Sequence, residues 1–302
     1  MSSLFTNNHD DDYRGSKDKR GNWKNLWMKN QLTILSSLFL SVLALAAYHL
    51  VSDGDFSFLM TLGSLLVLFS FGLLVIKVVV TRKVKNISLK TLQCYALVFA
   101  ARLCSILRYE GYLPYDKSGD WFYQATEVGA LIMVLGLITS VAVVFKSSYQ
   151  KDADKFTVPG VPSDLGVLLL VLPALVIALL LHPTLNGNWF TDTAWAFALY
   201  LEAVALLPQI LMFQSARNVE VEPFEANFVF GLAVARAMHL VFWMSSFHEL
   251  NDRDSSSSIQ KRFPGHLVVI SQVLNLLLVA DYIWFYIVAA REKKGVILPT
   301  QL

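Results

Sequence analysis

The sequence predicts an all-α polytopic membrane protein. Three observations carry that expectation. Hydrophobic residues make up 55% of the 302-residue chain and charged ones only 16%, where a soluble domain carries about a quarter. Mean hydropathy is +0.50. The apolar residues are gathered into eight blocks, most of them close to the roughly 20 residues that a bilayer crossing needs. They are not spaced at the period of an amphipathic helix or strand.

Residues 1–29 are polar, with an acidic run (Asp10, Asp11, Asp12) and a basic one from Arg14 to Lys29. They are expected to form a disordered cytosolic tail. That tail is too long and too mixed in charge for a signal-peptide n-region, and no small-residue cleavage site follows, so residues 30–51 read as a retained transmembrane helix. Trp23 and Trp27 suit interfacial anchors. Residues 56–290 hold seven further spans, at 56–80, 91–108, 121–146, 164–182, 190–214, 227–247 and 266–290, and residues 291–302 form a cytosolic tail. The block at 91–108 is interrupted by Arg102.

Loop charge sets the orientation. Basic residues fill the N-terminal tail, the loop at 81–90 (Arg82, Lys83, Lys85, Lys90), the loop at 146–163 and the C-terminal tail; the loops at 52–55 and 109–120 are mainly acidic. The alternation places both termini in the cytosol. One loop disagrees, because 215–226 is expected on the cytosolic side yet carries Glu220, Glu222 and Glu225 against Arg217. On this topology the sequon Asn86-Ile-Ser88 faces the cytosol and stays unmodified.

Two blocks bury an ionisable residue: AWAFALYLEAVALLPQILMFQ holds Glu202, and FVFGLAVARAMHLVFWMSSF holds Arg236. Each such group costs about 3 kcal/mol near a bilayer centre, so each needs a partner or a purpose. Ala-Arg recurs inside an apolar run, in ALVFAARLCSIL (Ala101-Arg102) and FGLAVARAMHLV (Ala235-Arg236), which points to a duplicated bundle with a site at the repeat interface. Cys94 and Cys104 read as packing thiols. The basic residues are confined to loops and ends and imply no nucleic-acid partner. The sequence shows no nucleophile elbow, metal-ligand spacing or phosphate loop, so neither an enzyme nor a cofactor is expected.

At YLEAVALLPQ (Tyr200–Gln209), FGLAVARA (Phe230–Ala237), ISLKTLQ (87–93) and ALVFAAR (96–102), with a late Asp281 amid aromatics, the chain resembles the receptors that retrieve endoplasmic-reticulum proteins bearing a C-terminal K-D-E-L or H-D-E-L signal. The resemblance covers about residues 56 to 302. It is nearest to the longer plant-type paralogues, which share the extra N-terminal helix, the HPT at 182–184 and Val-Ala-Arg. It implies seven helices arranged as two pseudo-symmetric three-helix bundles joined by a linking helix, a PQ-loop or SWEET-like plan, to which residues 30–51 add one more. It also implies C-terminal peptides of luminal proteins and cytosolic coat proteins as partners in endoplasmic-reticulum and Golgi membranes.

By that resemblance Arg102 corresponds to the arginine that holds the signal's terminal carboxylate, for which a guanidinium is a two-pronged match. Asp192, Trp195, Arg236, His239 and Trp243 complete the implied ligand site; Glu202 and Asp281 match structural or coupling charges, and Lys293-Lys294 a trafficking signal. The match is partial. Met60 and Ser246 stand where the family has arginines for the signal's acidic side chains, Ala235, His239 and Leu103 where it has tyrosines, Ser105 for an acidic residue, and about Val67 for a histidine. A pocket without those arginines is expected to bind K-D-E-L poorly, since each charge buried unpaired costs several kcal/mol.

Read as residues alone, Glu202 and Arg236 fit a buried ion pair framing the bundle as well as a ligand contact. Arg102, with no helix-internal partner, reads as a cavity or ligand residue. Asp281 reads as a partner of Arg236 or a switch. His239 fits a packed, hydrogen-bonded histidine or a pH sensor, and the two tryptophans fit packing or a peptide platform. Pro208-Gln209 fits a simple kink, and Lys293-Lys294 a retrieval signal or an ordinary basic flank. Two other functions stay open: a small-solute transporter on the same two-bundle plan, and a paralogue that has lost K-D-E-L binding.

Overall fold

The computed structural model describes residues 58–109, 120–158, 162–183, 187–215, 221–247, 264–292, 296 and 298. The tail at 1–29, the helix expected at 30–51, and Lys293 and Lys294 lie outside the described residues. Within them the chain forms α1 (Phe58–Thr81), α2 (Leu89–Ile106), α3 (Asp120–Thr139), α4 (Leu168–Leu180), α5 (Trp189–Val204), α6 (Leu207–Ser215), α7 (Pro223–Ser245) and α8 (Pro264–Glu292). α3 runs on through a π turn at Ser140–Val144. Among the described residues six spans are long and apolar enough to cross a membrane, with α5 and α6 counted as one, and α4 is a shorter apolar helix of 13 residues.

The ends follow local chemistry. Ser88 caps α2, its hydroxyl accepting from Thr91 N, and Asn188 caps α5 by accepting from Phe190 N and Thr191 N. Pro223 opens α7, where a missing N–H costs nothing. This start lies four residues before the expected one and resolves the anomalous acidic loop. Glu222 is the N-cap of α7 and Glu225 lies in its first turn, where negative charge is favoured, and both pair with Lys77 of α1. The span expected at 164–182 is shorter, because a 3₁₀ turn at Ser163–Leu165 precedes α4; an apolar run alone does not separate the two.

Helix neighbours repeat. α3 packs against both α1 and α2, α8 packs against both α5 and α7, and across the middle α1 meets α7 while α2 meets α5. Exchanging α1, α2 and α3 for α5, α7 and α8 maps each of these contacts onto another, and α4 packs on α5 as the link. Within a bilayer such packing relies on close van der Waals fit. At the α1–α7 contact a Cβ added to Gly63 would collide with the His239 ring, and one added to Gly231 would collide with the Ser70 hydroxyl. The centre is aromatic: Phe71 lies edge-on to Tyr95 at 5.1 Å, to Phe99 at 5.6 Å and to Phe228 at 5.2 Å. Ile76, Val80, Val143, Leu180, Ile270 and Leu277 are exposed on the outer surface, as a lipid-facing wall requires.

Buried polar contacts close one end of the bundle. Asp154 accepts from Ser88 Oγ at 2.8 Å, Leu89 N at 2.9 Å and Tyr149 OH at 2.7 Å. Gln209, one residue past the proline, accepts from Ser88 N at 3.0 Å and donates to Asn86 O at 2.8 Å. Gln209 thus holds the start of α2 as Lys77 holds the start of α7, at corresponding places in the two halves. The segment after α8 returns to this end: Val221 N donates to Val296 O at 2.9 Å, and Val296 and Leu298 are buried. Part of the expected C-terminal tail is therefore packed against the bundle. Cys94 is buried, but Cys104 is exposed between inward-facing Leu103 and Ser105, which corrects its reading as a packing thiol.

Candidate ligand site

The other end of the bundle encloses a charged centre built from four helices. Arg102 lies in the last turns of α2, Glu127 in the second turn of α3, Glu202 near the end of α5 and Arg236 midway along α7. All four are buried. Arg102 Nη1 donates to Glu127 Oε1 at 2.7 Å, and its Nη2 donates to Glu202 Oε2. Arg236 Nη2 donates to the other oxygen, Glu202 Oε1, so one carboxylate bridges arginines from the two halves. Arg236 Nη1 lies 3.2 Å from His239 Nδ1. Because a guanidinium only donates, Nδ1 is the acceptor and a neutral ring carries its proton on Nε2. Removing a member that is another's sole partner leaves a buried charge uncompensated and costs about 3–5 kcal/mol.

The break between α5 and α6 belongs to this centre. Pro208 has no N–H for the turn before it, and the helix opens at Ala205 and Leu206. Asn275 of α8 covers the carbonyls left there, its Nδ2 donating to Glu202 O and Ala203 O at 3.0 Å each. The kink thus fixes the backbone of Glu202 against α8.

Around the charges lies a small cavity lined by Met60, Arg102, Trp195, Leu199, Glu202, Arg236, His239, Trp243 and Gln272. Trp195 and Trp243 meet edge-on at 6.1 Å, so they pack on each other and face the cavity together. The free space is about 20 Å³ to a water-sized sphere, so a peptide enters only by displacing side chains.

Of the expected site residues, the structure brings together Arg102, Trp195, Glu202, Arg236, His239 and Trp243. Asp192 is fully buried in the first turn of α5, one turn before Trp195, and does not line the cavity. Asp281 faces outward from α8, whereas the charge on Arg236 is met by Glu202; pairing of Asp281 with Arg236 is therefore corrected. Arg102 faces the cavity, and its two carboxylate partners, Glu127 and Glu202, come from other helices. Sequence reasoning missed Glu127, Gln272 and Asn275. Glu127 is an ionisable residue within a long apolar block, the same signal that singled out Glu202.

Comparison with known proteins decides the family. A family model described as ER lumen protein retaining receptor matches residues 83–246, more than half of the chain. The chain belongs to this family. The matched region holds Arg102, Glu127, Glu202 and Arg236. The ER lumen protein-retaining receptor erd-2.2 of Caenorhabditis elegans is 27% identical over 229 residues, covering 75% of this chain and 92% of the relative. The ER lumen protein-retaining receptor of Petunia hybrida is 25% identical over 237 residues, covering 78% and 96%. That of Dictyostelium discoideum is 27% identical over 246 residues, covering 81% and 98%. The family's name agrees with the resemblance read at Tyr200–Gln209 and Phe230–Ala237.

Proposed function

We propose that the protein is an ER lumen protein-retaining receptor that binds the C-termini of luminal proteins and returns them from the Golgi to the endoplasmic reticulum. The observation that carries this reading is the placement of Arg102 and Arg236 on one small cavity, within the segment that matches the family. A terminal carboxylate needs a buried, permanently charged, two-pronged donor, and arginine supplies one. In this reading Arg102 takes the carboxylate in exchange for one of its own glutamates, and Arg236, Trp195, Trp243 and His239 line the path of the peptide. Asp192 lies one turn beyond, towards the end of the bundle that loop charge assigns to the lumen. Glu202 frames the centre. Asp281, on the outer face of α8, and Lys293 and Lys294 beyond it serve trafficking through contacts with other proteins, coat proteins among them.

The test is binding of free C-terminal tetrapeptides to purified protein at about pH 5.5 and about pH 7.2, spanning the range in which histidine titrates. Binding that is lost in Arg102→Ala supports the reading. No binding of any free-carboxylate peptide, or binding unchanged in Arg102→Ala, sinks it.

A further inference from the structure

Among the described residues, the two arginines that line the cavity are matched by Glu202, which lines it with them, and by Glu127 behind its wall. α2 contributes Arg102, α7 contributes Arg236, α5 contributes Glu202, and Glu127 of α3 holds Arg102 from behind. α1 presents Met60 and α8 presents Gln272, both uncharged, and His239 is turned to Arg236 as an acceptor. Two arginines thus meet two glutamates. One entering carboxylate can replace a glutamate on Arg102, but further acidic side chains find no positive charge among the described lining residues. A carboxylate buried without a partner is strongly disfavoured.

What the cavity does offer is neutral hydrogen-bonding capacity. Gln272 of α8 lines the cavity, and Asn275, three residues along the same helix, borders an adjoining gap between α5, α7 and α8, with Glu202, Ser271 and Arg236, that is too narrow for a water-sized sphere. Both are at least nine-tenths buried, and neither Gln272 Oε1 nor Asn275 Oδ1 accepts a hydrogen bond from the protein. Arg236 Nε, buried beside them, likewise has no protein acceptor. On the cavity-lining residues, Gln272 Oε1 is an orphan acceptor and Arg236 Nε and His239 Nε2 are orphan donors, a set that suits a group able both to donate and to accept. A carboxamide or a hydroxyl does so; a carboxylate, which only accepts, leaves Gln272 Oε1 unmet.

We infer that the cavity selects C-terminal segments whose side chains upstream of the terminal carboxylate are uncharged and hydrogen-bonding, in preference to acidic ones, and that Glu127 and Gln272 set this selectivity. The inference rests on the receptor reading above and specifies its ligand. The test compares two near-isosteric probes with free carboxylates, the tetrapeptides Lys-Asp-Glu-Leu and Lys-Asn-Gln-Leu, on the purified full chain. The expected result is that the Asn-Gln peptide binds the wild-type protein at least about tenfold more tightly. Glu127→Gln removes one negative charge and is expected to narrow that ratio by improving the acidic peptide; Gln272→Leu is expected to narrow it by weakening the neutral one. Equal or tighter binding of the acidic peptide to the wild type overturns the inference and leaves the receptor reading standing. Binding of neither peptide removes the reading and the inference together. The wild-type comparison decides the matter even if a variant fails to fold.

Discussion

Arg102 and Arg236 reach the same carboxylate, that of Glu202, from opposite halves of the molecule. The two arginines follow the same Ala-Arg step in their own helices, and those helices occupy exchangeable positions in the packing pattern. A single glutamate therefore joins the repeats where their charges would otherwise repel.

Glu202→Ala leaves Arg236 with no carboxylate among the described residues and Arg102 with Glu127 alone, whereas Glu127→Ala leaves both arginines on Glu202. The first is expected to cost about 3–5 kcal/mol and the second clearly less. Thermal stability of each variant in the same detergent checks the order. A larger drop for Glu127→Ala would show that the bridge lies elsewhere.

The two halves also approach closely at Gly63, against which the His239 ring packs. Gly63→Ala is expected to destabilise by about 1–3 kcal/mol through overpacking. Combined with His239→Ala, which vacates the space, the double variant should be more stable than the sum of the single changes implies. Additive losses would mean that the ring does not limit the contact.

At the opposite end, Gln209→Leu removes two buried hydrogen bonds and leaves Ser88 N and Asn86 O unanswered. A loss of about 1–3 kcal/mol per orphaned group follows, concentrated at the start of α2. Hydrogen exchange should accelerate over residues 86–92 before it does elsewhere. Unchanged protection there would contradict a tethering role.

Asn86 is buried, and its sequon partner Ser88 has its hydroxyl committed to Asp154. No glycan is expected at Asn86 when the chain is made in microsomes, as judged by mobility before and after endoglycosidase. A glycan at Asn86 would invert the proposed orientation.

The spans were legible because bilayer crossings announce themselves as long apolar runs, and the family was legible from Tyr200–Gln209 together with Phe230–Ala237. Neighbour relations were not. Glu127 lies inside an apolar block as Glu202 does, but nothing local says that α3 lies against α2 at Arg102. Asp281 was misplaced for a related reason. Its neighbour Tyr282 takes the inward position, fully buried and donating to Ala226 O at 2.8 Å, and adjacent helix residues do not share a face. Gln209 looked like part of a kink motif because its partners, Asn86 and Ser88, are more than a hundred residues away in the chain.

The central claim is that the Arg102–Arg236 cavity receives a free C-terminus. The most direct measurement compares a peptide of one sequence, Lys-Asn-Gln-Leu, as the free acid and as the C-terminal amide, on the unaltered protein. The acid is expected to bind and amidation to weaken binding at least about tenfold, since only the carboxylate engages Arg102 as an ion pair. Equal binding of acid and amide, or binding of neither, would contradict it.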